Sequence, residues 1–174
     1  MPFYLQEIEG IPELDDFKSV LIIPCRFCPA ASLAVSKNES YIQFFRRFLK
    51  TASFERYIKT IKSNLETKGV KTDIFKSHLL HQFVLCGWTS KRRQKMLERV
   101  NKYEAVLVLG CEGAVKTVRD TIKSTSCQVI QGMKTIGLMS VKPSFRLPCN
   151  ISLKLDSVTP ILYQENQFAT EVGT

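Results

Sequence analysis

Val20-Leu21-Ile22-Ile23-Pro24-Cys25-Arg26-Phe27-Cys28 is an apolar run that ends in a proline and two cysteines spaced as Cys-x-x-Cys. An apolar run of about four to eight residues, bounded by a turn signal, has the pattern of a buried strand. Lys18 to Pro24 is therefore expected as a first strand. Its thiols fall at the carboxyl end, where open α/β sheets hold their ligands. Ala105 to Gly110 (AVLVLG) repeats the pattern and runs into Cys111. Two strands that each deliver cysteine to one sheet edge predict a site.

Outward from that stretch, Pro29 suits the first turn of a helix over Ala30 to Val35. Residues 40–67 carry two helical stripes. One is Ile42, Phe45, Phe48 and Leu49, and the other is Phe54, Tyr57, Ile58, Ile61 and Leu65. A break at Thr51-Ala52-Ser53 would let Ser53 cap the second helix. Val70 to Lys76 alternates like a second strand, and 77–88 reads as a loop ending in Cys86-Gly87-Trp88. Thr89 or Ser90 then opens a basic helix over Lys91 to Asn101. After the strand at 105–110, Cys111-Glu112-Gly113 leads into a helix ending near Lys123. Cys127 to Gln131, Lys134 to Val141 and Asn150 to Leu155 read as further extended runs.

Helices alternating with strands predict an α/β fold, a single domain with a mostly parallel Rossmann-like sheet and flanking helices. Residues 1–17 read as an arm, 18–160 as the cysteine-bearing α/β domain and 161–174 as a polar tail. The chain has 174 residues, 44% of them hydrophobic, enough for one sizeable core and unlike a disordered or fibrous chain.

No apolar segment reaches the roughly 18 residues of a membrane span. The acidic start, MPFYLQEIEGIPELDD, lacks the order of a signal peptide, so a cytoplasmic location is expected. There, six cysteines serve as ligands, reactive thiols or core residues rather than disulfides. The net charge of +9 is concentrated in 46–76 and 91–102, where basic residues alternate with apolar ones at helical spacing. Aromatic residues are not interleaved for base stacking. That pattern speaks for an acidic protein partner or for solubility, and against nucleic acid.

Four thiolates make a closed zinc site or hold a usual iron–sulfur cluster. Cys25, Cys28, Cys86 and Cys111 supply four if their turns converge, although each could instead fill the core. Cys127 reads as structural, and Cys149 stays open. His78 and His81 read as core or surface residues rather than ligands. A Gly-rich phosphate loop, paired carboxylates and a serine elbow are all missing from the sequence. Cys111, at a helix start, is also the candidate nucleophile of a thiol enzyme, a reading that leaves the Cys-x-x-Cys unused.

The segments GVKTDIF, the Cys86 loop, the basic helix and YEAVLVLGCEGAVKTV together resemble the carboxyl-terminal domain associated with methylenetetrahydrofolate reductases. In anaerobes that domain also occurs as a separate small subunit. The likeness spans residues 18–149. Cys25-Arg26-Phe27-Cys28 matches the family's first cysteine turn, and Cys86 its second. Cys111, Gly113, Thr117 and Val118 match a Cys-x-Gly-x-x-x-Thr-Val motif. The resemblance implies a metal-containing accessory subunit, holding zinc or an iron–sulfur cluster. Such a subunit supports electron transfer or one-carbon and methyl-transfer chemistry in a larger reductase complex. It also implies Gly113 and Thr117 as cofactor-binding positions. Family members often continue into a cysteine-rich tail, whereas Cys149 is followed here by Asn150-Ile151-Ser152. The alternative from a different class is a non-catalytic assembly module, with core cysteines and a basic face for an acidic partner.

Overall fold

The computed structural model describes residues 2–8, 11, 14, 16–43, 50–76, 85–146 and 150–161. Its elements in chain order begin with β1 (Phe3–Glu7), β2 (Ser19–Pro24), α1 (Cys28–Ser36) and β3 (Ser40–Gln43). Next come α2 (Ala52–Thr67), β4 (Lys71–Ile74), a 3-10 turn (Leu85–Gly87) and α3 (Ser90–Val100). The chain continues through β5 (Ala105–Leu109), α4 (Glu112–Ile122), β6 (Gln128–Gln131), β7 (Met133–Arg146) and β8 (Asn150–Pro160). His78, His81 and Cys149 lie outside the described residues, as does the part of the first expected helix at 44–49.

The strands form two four-stranded sheets. One is parallel, in the order β4-β2-β5-β6. Its two central strands, β2 and β5, are buried on both faces, which is why they read as unbroken apolar runs. The second sheet is antiparallel, in the order β1-β7-β8-β3. The expectation of one mostly parallel Rossmann-like sheet is therefore corrected: half of the strands belong to an antiparallel sheet.

Three segments account for that difference. Phe3–Glu7, expected as part of an arm, pairs with Met133–Leu138 as an edge strand. Ser40–Gln43, expected as helix, pairs with the start of β8. β7 and β8 form one long hairpin instead of two separate runs. Along β7, Met133, Thr135, Gly137 and Met139 are buried in alternation, and Lys142 to Phe145 are exposed. This is the pattern of a sheet with one wet face that runs out beyond the core. Pro143 is tolerated because β1 pairs only with 133–138, leaving that edge of β7 without a ladder partner among the described residues.

Helix α1 links the sheets. Pro29 to Leu33, with Ala34, are all buried, so the helix is covered all round. It packs against β1, β3 and β8 as well as α2, and its alanines let the strands approach closely. Ser32 fastens it to the antiparallel sheet. The hydroxyl accepts the Leu5 N–H at 2.9 Å and reaches the carbonyls of Cys28 at 2.9 Å and Phe3 at 3.2 Å. A buried amide left without such a partner costs about 1–3 kcal/mol. Helix α2 begins at Ala52 with Thr51 at its N-cap, so Ser53, expected to cap it, lies inside the first turn. The Thr51 hydroxyl donates instead to the Tyr41 carbonyl at 2.6 Å, tying β3 to α2.

In the parallel sheet the crossovers from β2 to β4 and from β4 to β5 run in opposite directions. Right-handed crossovers then put the α1–α2 pair and the α3–α4 pair on opposite faces. The chain consequently leaves the adjacent ends of β2 and β5 toward opposite sides. The switch-point rule then expects a crevice between them, at the place where α/β sheets bind ligands.

Candidate metal centre

Both walls of that crevice carry cysteine. Cys25 follows β2 directly, and its N–H donates to the Leu109 carbonyl of β5 at 2.9 Å. Cys28 is the first residue of α1, and Cys111 is the N-cap of α4. The positive ends of two helix dipoles therefore meet at one sheet edge, a setting that favours sulfur in its anionic form. Cys86 arrives on the 3-10 turn, which packs against α4. Cys25 and Cys111 are buried, Cys28 is half-buried and Cys86 is exposed.

The four thiols lie within electrostatic reach of one another. Cys25 feels Cys28 and Cys111, Cys28 feels Cys111 and Cys86, and Cys111 feels Cys86. Backbone N–H groups point at three of the sulfurs. Leu85 and Phe27 supply Cys25, Ala114 and Gly113 supply Cys111, and Phe3 and Cys28's own amide supply Cys28. Such donors stabilise the charged form of sulfur. Burial outweighs them. It is the main cause that pushes Cys25 from an ordinary 9.0 up to about 12, and it also raises Cys28 and Cys111.

Burial thus disfavours the thiolate form of Cys25, Cys28 and Cys111, and deprotonation there is left to an incoming cation. The raised Cys25 thiol has a consequence for folding. The folded state holds that proton more tightly than the unfolded chain. This contribution to stability is fully present below pH about 9 and is lost as pH rises toward about 12. Urea midpoints of chelator-treated protein should fall across that window, and Cys25→Ala should flatten the fall. An unchanged slope in the variant would contradict this origin.

Two glycines shape the crevice. A β-carbon on Gly110 would stand 2.6 Å from the Ala114 Cβ and 3.3 Å from the Cys25 Cβ. Only glycine lets the end of β5, the first turn of α4 and Cys25 approach so closely. Gly113 lies between two of the cysteines. Its β-carbon would lie 3.8 Å from the Cys111 Sγ and 4.0 Å from the Cys86 Cβ. Thr117, the other expected cofactor-binding residue, is buried one turn further along α4. Its hydroxyl donates to the Gly113 carbonyl at 2.8 Å. Gly113 thus borders the crevice, and Thr117 braces the helix behind it.

Tyr41 is a site residue that the sequence did not disclose. β3 brings it beside Cys28 and Cys25, and burial, with those two thiols, raises its hydroxyl to about 12. It remains an O–H group at the margin of the cluster. The alternation in Ser40-Tyr41-Ile42-Gln43 was the available signal, masked by the helical periodicity that follows. Arg26, inside the Cys-x-x-Cys, turns away to an ion pair with Glu55 of α2. Cys127 lies apart at the start of β6, where burial raises it to about 11.

The site therefore belongs to an α/β protein that carries four cysteines, from three separate turns, at one sheet edge. As the side chains stand, no group of three or more His, Cys, Asp or Glu among the described residues is set closely enough to hold a metal ion. No family model, curated protein or solved structure matches the chain. Among the described residues, no helix is long and apolar enough to cross a membrane.

Proposed function

We propose that the protein is a metal-binding accessory subunit, with Cys25, Cys28, Cys86 and Cys111 as thiolate ligands to zinc or an iron–sulfur cluster. The observation that supports this reading is that the four cysteines lie at one sheet edge, under two helix N-termini and a set of N–H donors, within electrostatic reach though not closed on one point. The donor set suits a soft cation, because four thiolates with amide donors behind them are the usual requirement of both groups. A bound cluster would supply one-electron transfer. Zinc closed by four thiolates would be structural.

In this reading loading draws the three cysteine-bearing turns closer together, each thiol giving up its proton to solvent. Phe27, 41% exposed between two of the ligands, adds an apolar contact for the subunit served. The reductase or methyl-transfer partner is proposed from the sequence resemblance alone.

The second reading is the non-catalytic assembly module with core cysteines. It is favoured by the spacing of the side chains, which are not yet closed on one point. Purification without oxygen, followed by metal and sulfide analysis and a visible spectrum, separates the two. About one zinc per chain, or iron with sulfide and a visible chromophore, is expected. Neither metal in anaerobically prepared protein would leave the assembly module standing.

A further inference from the structure

A strongly basic feature lies on another face from the cysteines. Between α3 and the edge strand β4 runs a cavity of about 1180 Å³, lined by seven cationic side chains and only two carboxylates. Lys71, Lys76, Lys91, Lys95 and Lys102 are all exposed. No carboxylate among the described residues forms an ion pair with any of the five. Of the two acids in the cavity, Asp73 is already engaged. Its carboxylate accepts the Tyr103 hydroxyl at 2.6 Å, which holds it below the usual carboxylate range.

The form of the groove narrows what fits it. Lys91 and Lys95 lie one turn apart on α3 and Lys102 follows its C-terminus, so the charges run the length of the helix, about 16 Å at 1.5 Å rise per residue. That is an extended track and not a pocket for one phosphate. Its aromatic residues are not stacking platforms. Phe75 is buried, with Trp88 at 5.4 Å on one side and the Arg99 guanidinium 6.0 Å from its centroid, and Tyr103 is bound to Asp73. Single-stranded nucleic acid binds by stacking bases on exposed rings, which the described lining of this groove does not offer.

Lysines predominate along the track, and they act as point charges without the bidentate geometry of arginine. Such a surface steers and holds an acidic chain through charge. β4 is the outermost strand of its sheet and lines the same groove. The groove runs the height of the sheet, from Lys71 and Lys102 at the amino edge to Thr89 at the carboxyl edge, three residues from Cys86. We propose that it is the docking track for an extended acidic polypeptide segment of a partner protein. The proposal stands on the groove alone and holds whether or not the cysteines bind metal.

The test uses the full chain and fluorescent poly-L-glutamate of about 20 residues, followed by anisotropy at low and high salt. Saturable binding that weakens with salt is expected. The triple variant Lys91→Glu, Lys95→Glu, Lys102→Glu should bind at least about tenfold more weakly. A control carrying Lys116→Glu and Lys154→Glu, both exposed and outside the groove, should bind as the parent does. Equal losses in the two variants, or no loss in the triple, would reduce the effect to net charge and overturn the track. Oligouridylate of the same length, binding more tightly than poly-glutamate and lost in the triple variant, would assign the groove to nucleic acid instead. Circular dichroism of the triple variant guards against misfolding. If it is unfolded, Lys91→Gln with Lys95→Gln should show a smaller loss, and wild-type binding by that pair would also overturn the proposal.

Discussion

Cys25→Ser should weaken metal binding about a hundredfold, and Cys111→Ser should do the same, with Cys127→Ser loading as the parent does. Structural zinc in small domains binds with about 10–16 kcal/mol shared among four ligands. One ligand then stands for roughly 3 kcal/mol, or about two orders of magnitude in affinity. Cys25 should be the most sensitive position. It is the most deeply buried of the four thiols, held by the Leu109 carbonyl at its N–H and by amide donors at its sulfur. Competition with a chromophoric chelator under anaerobic conditions gives the affinity. If Cys25→Ser proves insoluble, the half-buried Cys28 serves as the second position. Parent stoichiometry and affinity in both variants would exclude the four-thiolate site.

The second large effect is on folding, at Gly110. In Gly110→Ala the new methyl would stand 2.6 Å from the Ala114 Cβ, a group with no rotamer to turn away. Helix α4 must move off the end of β5, and overpacking of this kind costs about 1–3 kcal/mol. The displacement would carry Cys111 with it, so metal affinity should fall together with the urea midpoint. Gly113→Ala is the contrast. Its methyl would make ordinary contact at 3.8 Å, and alanine is favoured over glycine in a helix by up to about 1 kcal/mol. That variant should be as stable as the parent or slightly more so. A Gly110→Ala midpoint equal to the parent's would mean that the close approach at Ala114 is not rigid.

Much of the parallel half of the molecule was legible from one short window at a time. β2 and β5 are buried on both faces, and so each announces itself as an apolar run closed by a cysteine turn. α2, α3 and α4 carry regular apolar stripes because each covers a sheet on one side and meets water on the other. The antiparallel sheet was not legible in this way. β1 spans five residues and β3 four, too short to show a period of their own. Their strand character comes from partners more than a hundred residues away, β1 on β7 and β3 on β8. Tyr41 was missed as a neighbour of the thiols for the same reason. The basic face of α3 reads as an ordinary solvated helix until β4 is placed beside it and turns it into one wall of a groove.

VLIIPCRFC by itself determined a buried strand ending in a pair of thiols, since hydrophobic burial and the proline stop act locally. That Cys25 and Cys28 share a sheet edge with Cys86 and Cys111 was decided only by tertiary structure. Adjacency of β2 to β5 is set by backbone pairing, which the side chains of either strand do not encode alone. The crevice between them then follows from the opposite exits of two right-handed crossovers.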